Sequence, residues 1–170
     1  KSAQFANILN HISKLEQKTT NSPKYMSEKW TLNTVKQYLL EKDIKPSVQR
    51  IAVMTYLLEH RTHPTVDEIY LELQDKIPTL SKTTIYNTLK LFVEKKAILS
   101  LTIDEKMVRY DGYRQRHAHL FCHSCGKVVD VPLEYDVELP QTEATKGFAD
   151  VETQVYHKGY CAECLEAKKL

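Results

Sequence analysis

The chain has 170 residues, 42% hydrophobic and 27% charged, which suits one or two soluble globular domains. No apolar run approaches membrane-spanning length and the N-terminus lacks a signal-peptide layout, so a cytoplasmic protein without a membrane partner is expected. Net charge is only +2 but uneven: residues 1–30 carry +3, residues 31–103 carry +2 and residues 104–170 carry −3, a gradient compatible with nucleic-acid binding by the N-terminal part.

Residues 1–30 read as an extension. Phe5, Ile8, Leu9, Ile12 and Leu15 recur at helical spacing, and the polar stretch from Gln17 to Lys24 reads as a linker. The segment is either an additional DNA-contacting arm or a cloning remnant.

Residues 31–112 are expected to form a winged-helix domain. Leu32, Val35, Leu39 and Leu40 mark one helix. Ser47 caps a second, which carries Ile51, Val53, Met54, Leu57 and Leu58. Thr65-Val66-Asp67-Glu68 is a capping box that opens a third, with Ile69, Leu71 and Leu73. Ser81 caps a fourth, with Ile85, Leu89, Leu91 and Phe92. Two β-rich runs follow, Ala97–Ile103 and Met107–Asp111, joined by a turn at Asp104–Lys106. Helices followed by a hairpin describe a winged helix, whose last helix enters the DNA major groove. That last helix offers Lys82, Thr83, Thr84, Tyr86 and Asn87, groups able to bond phosphates and base edges. A plain solvent face is the alternative for any one such helix.

Residues 113–170 are expected to form an α/β domain, so the chain as a whole reads as α+β. Strands are predicted at His119–Phe121, Lys127–Val131 and Val151–Tyr156, with a short helix at Val137–Lys146. The chain's four cysteines form two pairs, Cys122/Cys125 and Cys161/Cys164, each with two-residue spacing. Two such turns brought together make a closed four-sulfur site for a structural Zn²⁺; disulfides or a redox pair are the competing readings. The 35 residues between the pairs are enough to hold folded structure. A second set comprises His63, Asp111, His117, His119 and Asp130. His117 and His119 point the same way in a strand, and three His with two Asp suit Fe²⁺, Mn²⁺ or Zn²⁺. Taken singly, each of these residues could also be an ordinary surface histidine or turn aspartate. His11, His60, His123 and His157 have no such company.

Several segments together carry a resemblance to a known family. They are Lys45-Pro46-Ser47-Val48-Gln49-Arg50, His63-Pro64-Thr65, Ser81 to Asn87, Arg109-Tyr110-Asp111, His117 to Asp130, and Gly159-Tyr160-Cys161-Ala162-Glu163-Cys164. From about Thr31 onward the chain resembles the ferric uptake regulator (Fur) family of bacterial metalloregulators. The resemblance implies a homodimer that represses genes on double-stranded operator DNA when a regulatory metal is bound. It implies one structural zinc per subunit on Cys122, Cys125, Cys161 and Cys164, a regulatory site on His63, Asp111, His117, His119 and Asp130, and Arg50 among the DNA contacts. Iron sensors of the family usually carry Glu where this chain has Asp111 and Asp130, and the peroxide-sensing branch has Asp at both. The likeness is therefore to that branch. There bound Fe²⁺ reacts with hydrogen peroxide, ligand histidines matching His63 and His117 are oxidised, and the repressor leaves DNA; Mn²⁺ supports binding without reacting, and purified protein can carry Zn²⁺. One departure is Lys96, where relatives often have Gly.

The competing functions are an iron- or zinc-level sensor on the same scaffold, a zinc hydrolase, and a zinc-stabilised interaction module. A hydrolase needs an open coordination position and a general base, and five protein ligands leave little room.

Overall fold

The computed structural model describes residues 30–113, 115–133 and 137–168. The helix expected within residues 1–30 and the linker after it lie outside the described residues, as does His11. Two compact units are present. Among the described residues, the first takes in the chain up to Leu101 together with Arg109–Tyr113, and the second takes in Thr102–Val108 together with the chain beyond Tyr113.

The first unit is a winged helix: α1 (Leu32–Glu41), α2 (Val48–Glu59), α3 (Val66–Leu73) and α4 (Lys82–Glu94), then strands β1 (Leu99–Leu101) and β2 (Arg109–Asp111). Each helix starts where a side-chain oxygen can satisfy an otherwise unpaired backbone N–H. Thr31, Ser47, Thr65 and Ser81 are the four caps, and Thr31 with Thr34 and Thr65 with Glu68 each form a full capping box. α1 and α4 stop at left-handed residues, Asp43 (φ 55°) and Lys96 (φ 50°). At the second stop the Ala97 amide donates back to the Phe92 carbonyl at 2.8 Å, closing the helix end. The core gathers Val35, Leu39, Met54, Ile69, Ile85, Leu89 and Phe92, all essentially inaccessible. The buried Tyr38 hydroxyl donates to the Ala97 carbonyl at 2.6 Å.

Two expected core positions are exposed. Leu40 is 61% and Leu71 is 63% accessible. At ~100° per residue, Leu40 falls roughly 120° from the Val35–Leu39 face, and Tyr38 takes the core place instead. Likewise Ile69 and Leu73 stack one turn apart, so Leu71 between them must point outward. The hairpin strands are three residues each, shorter than the runs suggested, and pair antiparallel with Ser100 opposite Tyr110. Gly112, just past β2, passes so close to α2 that a Cβ would sit 3.1 Å from Leu57 backbone atoms.

The second unit holds a three-stranded sheet in the order β4-β3-β5. β3 (His117–Cys122) runs antiparallel to β4 (Val128–Pro132) and parallel to β5 (Val155–Gly159). β5 begins four residues later than the alternation suggested. The helix expected at Val137–Lys146 is absent. Pro140 supplies no N–H, and the Thr145 hydroxyl instead donates to the Pro140 carbonyl at 2.7 Å within a turn that reaches Gly147 (φ 85°). A helix the sequence reading omitted, α5 (Ala162–Lys168), follows the last cysteine turn. Among the described residues no helix is long and apolar enough to cross a membrane.

Candidate metal centres and nucleic-acid helix

The four-cysteine site follows from strand register. Cys122 ends β3 directly opposite Gly159, which ends β5, so the two cysteine turns emerge side by side. The first turn closes by a bond from the Gly126 amide to the Cys122 carbonyl at 2.9 Å, with Gly126 at φ 72°. In the second, the amides of Cys164 and Leu165 both reach the Cys161 carbonyl. All four sulfurs lie within 4.8 Å of one another as free thiols, so neither pair is a disulfide. The Cys125 and Cys161 sulfurs are 3.9 Å apart. Four Zn–S bonds of ~2.3 Å at tetrahedral angles need about 3.8 Å. The set fits a structural zinc.

Electrostatics favours a thiolate at Cys122. Hydrogen bonds from the backbone amides of Cys125 and Cys161 lower its pKa to about 6. The backbone amide of Cys164 also pulls Cys161 down, yet its bonding to the Cys164 thiol, its burial and its bonding to Cys122 outweigh that and raise it. The two thiols are therefore pushed apart, Cys122 toward the thiolate and Cys161 toward the thiol.

The second unit also gathers three nitrogen and oxygen ligands. The two-residue period of β3 puts His117 and His119 on one face, and the β3–β4 register sets Asp130 opposite His119. Both histidines are buried. Their Nε2 atoms are 2.9 Å apart, and Asp130 Oδ1 lies 3.4 Å from His117 Nε2 and 4.0 Å from that of His119. The Gln115 carbonyl stands 2.8 Å from His117 Nδ1. A proton held there leaves the Nε2 lone pair free for a metal. Two nitrogens bonded at ~2.1 Å to one ion at right angles would stand about 3 Å apart, as these do. The donor set fits a divalent cation, and Gln115, which sequence reading missed, fixes its orientation.

The first unit holds the remaining two expected ligands. His63 is fully buried with a left-handed backbone (φ 51°), a strained conformation for a residue preceding proline. The Arg109 guanidinium donates to its carbonyl at 3.3 Å, and the Tyr110 amide donates to the Pro64 carbonyl at 3.0 Å. Those bonds tie the His63 turn to β2, which carries the buried Asp111. Ligand atoms of His63 and Asp111 lie within 4.8 Å of each other. Asp111 Oδ1 accepts the Tyr113 amide at 2.7 Å. Of the histidines set aside, His60 stacks on Tyr56 with ring centroids 4.5 Å apart, half-buried rather than free at the surface.

Helix α4 presents Lys82, Thr83, Tyr86 and Asn87 to solvent. Thr84 is half-buried, its hydroxyl bonded to the Ser81 cap at 2.8 Å. A concavity of ≈ 370 Å³ beside the helix is lined by Lys45, Gln49, Arg50, Thr84 and Asn87 among others. Arg50 donates to the Lys45 carbonyl at 2.7 Å and so stays at its rim. Lys45 and Gln49 entered the sequence reading only as part of the family motif around Ser47, not as DNA contacts; their place beside that cap is the signal that could have marked them. Lys82 pairs with Asp67 at 2.7 Å.

Residues 41–158 match the ferric uptake regulator family. The chain belongs to that family. It is 34% identical over 135 residues to the peroxide-responsive repressor PerR of Staphylococcus epidermidis, a match spanning 75% of this chain and 86% of the relative. It is 35% identical over 127 residues to the peroxide operon regulator of Bacillus subtilis, spanning 74% of this chain and 88% of the relative. Among solved structures, the Helicobacter pylori ferric uptake regulator Fur matches with a TM-score of 0.59 at 20% identity, over 82% of this chain and 97% of the other. The Campylobacter jejuni peroxide stress regulator matches with a TM-score of 0.55 at 26% identity, over 80% and 100%. Members of the Fur family are dimeric DNA-binding transcriptional regulators and not enzymes, so the hydrolase reading is set aside.

Proposed function

We propose that this chain is a metal-dependent DNA-binding repressor that senses hydrogen peroxide and then releases its operator. The observation that carries the reading is the cluster of the buried His117 and His119 with the half-buried Asp130, in a chain whose relatives include peroxide-responsive repressors. In this reading His63 and Asp111 join that cluster to hold one regulatory ion, Fe²⁺ or Mn²⁺. Bound Fe²⁺ supplies the redox chemistry that activates peroxide, whereas Mn²⁺ engages the same ligands without it. Asp at 111 and 130, rather than the longer Glu, supports the peroxide branch over a metal-level sensor.

The side chains have distinct roles. The buried imidazoles give up nitrogen lone pairs to the ion, and oxygen added to His63 or His117 weakens that donation. The Gln115 carbonyl holds His117 in the competent tautomer. Lys82, Thr83, Thr84, Tyr86 and Asn87 approach base edges and phosphates, and Arg50 a phosphate. A homodimer would place two copies of α4 on two half-sites, so the operator should be palindromic.

The test is fluorescence anisotropy with duplexes selected from random sequence. Tight binding by protein loaded with Mn²⁺ or Fe²⁺, and loss of binding when only the structural zinc remains, is expected. Equal binding in all three forms would overturn the metal-dependent part of the reading.

A further inference from the structure

We propose that Tyr156 is a further oxidation site, where peroxide consumed at the His117–His119–Asp130 cluster places oxygen on the phenol ring. The inference rests on the peroxide reading above. His119 has two cross-strand neighbours: Asp130 on β4 and Tyr156 on β5. The Tyr156 ring centroid lies 6.0 Å from that of His119, tilted 58° to it. The phenol is also held in place. Its O–H donates to Gln154 Oε1, and the Thr102 amide donates to its oxygen at 3.4 Å. Tyr156 is half-buried, while Tyr86 and Tyr160 are 52% and 51% accessible.

The chemistry balances with hydrogen peroxide as the only oxidant. A C–H bond beside the phenol hydroxyl becomes C–OH. One peroxide oxygen stays on the ring, and the other leaves as water with the displaced hydrogen. The ring loses two electrons and the peroxide gains two. The ring's electron-donating hydroxyl makes that position the preferred point of attack, and its place beside His119 exposes it to oxidant formed at the cluster before solvent can intervene.

The experiment treats the full chain, loaded with Fe²⁺ or with Mn²⁺, with stoichiometric ¹⁸O-labelled hydrogen peroxide and reads tryptic peptides by mass spectrometry. One labelled oxygen on Tyr156 in the Fe²⁺ form alone, alongside labelled His117 and with Tyr86 and Tyr160 unchanged, is the expected result. Labelled His117 with unmodified Tyr156 would overturn the proposal while leaving peroxide sensing intact. Label on none of His63, His117 and Tyr156 would sink both. Label spread equally over Tyr86, Tyr156 and Tyr160 would show oxidation from bulk solvent and overturn the site.

Discussion

Individual side chains divide into those whose role is set by spacing and those whose role is set by register. The cysteine pairs were legible because two-residue spacing implies a thiolate turn wherever it lies. Asp130 and Tyr156 were harder. Asp130 was found by proximity in sequence, but its pairing opposite His119 comes from strand register, and nothing in a single sequence put Tyr156 on the other side. Two predictions belong here. Asp130→Ala removes the carboxylate 3.4 Å from His117 and should abolish binding of the regulatory ion while leaving one zinc per chain, as read by elemental analysis. Loss of the zinc as well would contradict separate sites. The second concerns pH. The Cys122 thiol sits at about 6, depressed by backbone amides, so its thiolate contribution to stability is fully present above the ordinary thiol pKa and is lost as pH falls through about 6. The zinc-free protein should therefore lose stability as pH falls from the ordinary thiol range toward about 6, followed by chemical denaturation. A zinc-free stability that does not change across that window would refute that account.

Helices and strands were legible where capping and periodicity agreed. Three of the four helix starts of the winged helix, at Ser47, Thr65 and Ser81, were read as caps, and the structure adds Thr31 as the fourth. Which residues face inward was less so, because apolar type alone does not fix the angle around a helix. The contrast is testable by chemical denaturation: Ile69→Ala should cost about 2–5 kcal/mol, and Leu71→Gln should stay within ~0.5 kcal/mol of wild type. Large losses from both would mean α3 is turned differently. The Val137–Lys146 helix failed because a local turn, closed by Thr145 on Pro140, competes with helix hydrogen bonds. α5 was missed because its short run of mixed residues follows a cysteine turn that starts it. Lys96 carries a left-handed backbone that glycine adopts freely, so Lys96→Gly should raise stability by ~0.5–1 kcal/mol; a loss would show that its side chain matters more than its φ.

For the molecule as a whole, helix order followed by a hairpin was enough to read the winged helix, and the cysteine turns were enough to read a second, metal-pinned unit. The extent of each unit was less legible. The hairpin loop Thr102–Val108 groups with the second unit, through contacts such as Lys158 with Glu105 at 3.6 Å that no linear pattern encodes. The function ties the parts together only if peroxide chemistry at the His/Asp ligands controls DNA binding. The most direct measurement is operator binding by the Fe²⁺ and Mn²⁺ forms before and after stoichiometric peroxide, with mass spectrometry of the His63 and His117 peptides. The account predicts that only the Fe²⁺ form loses DNA, with oxygen added to either histidine. Undiminished binding of the Fe²⁺ form with both histidines intact would contradict it.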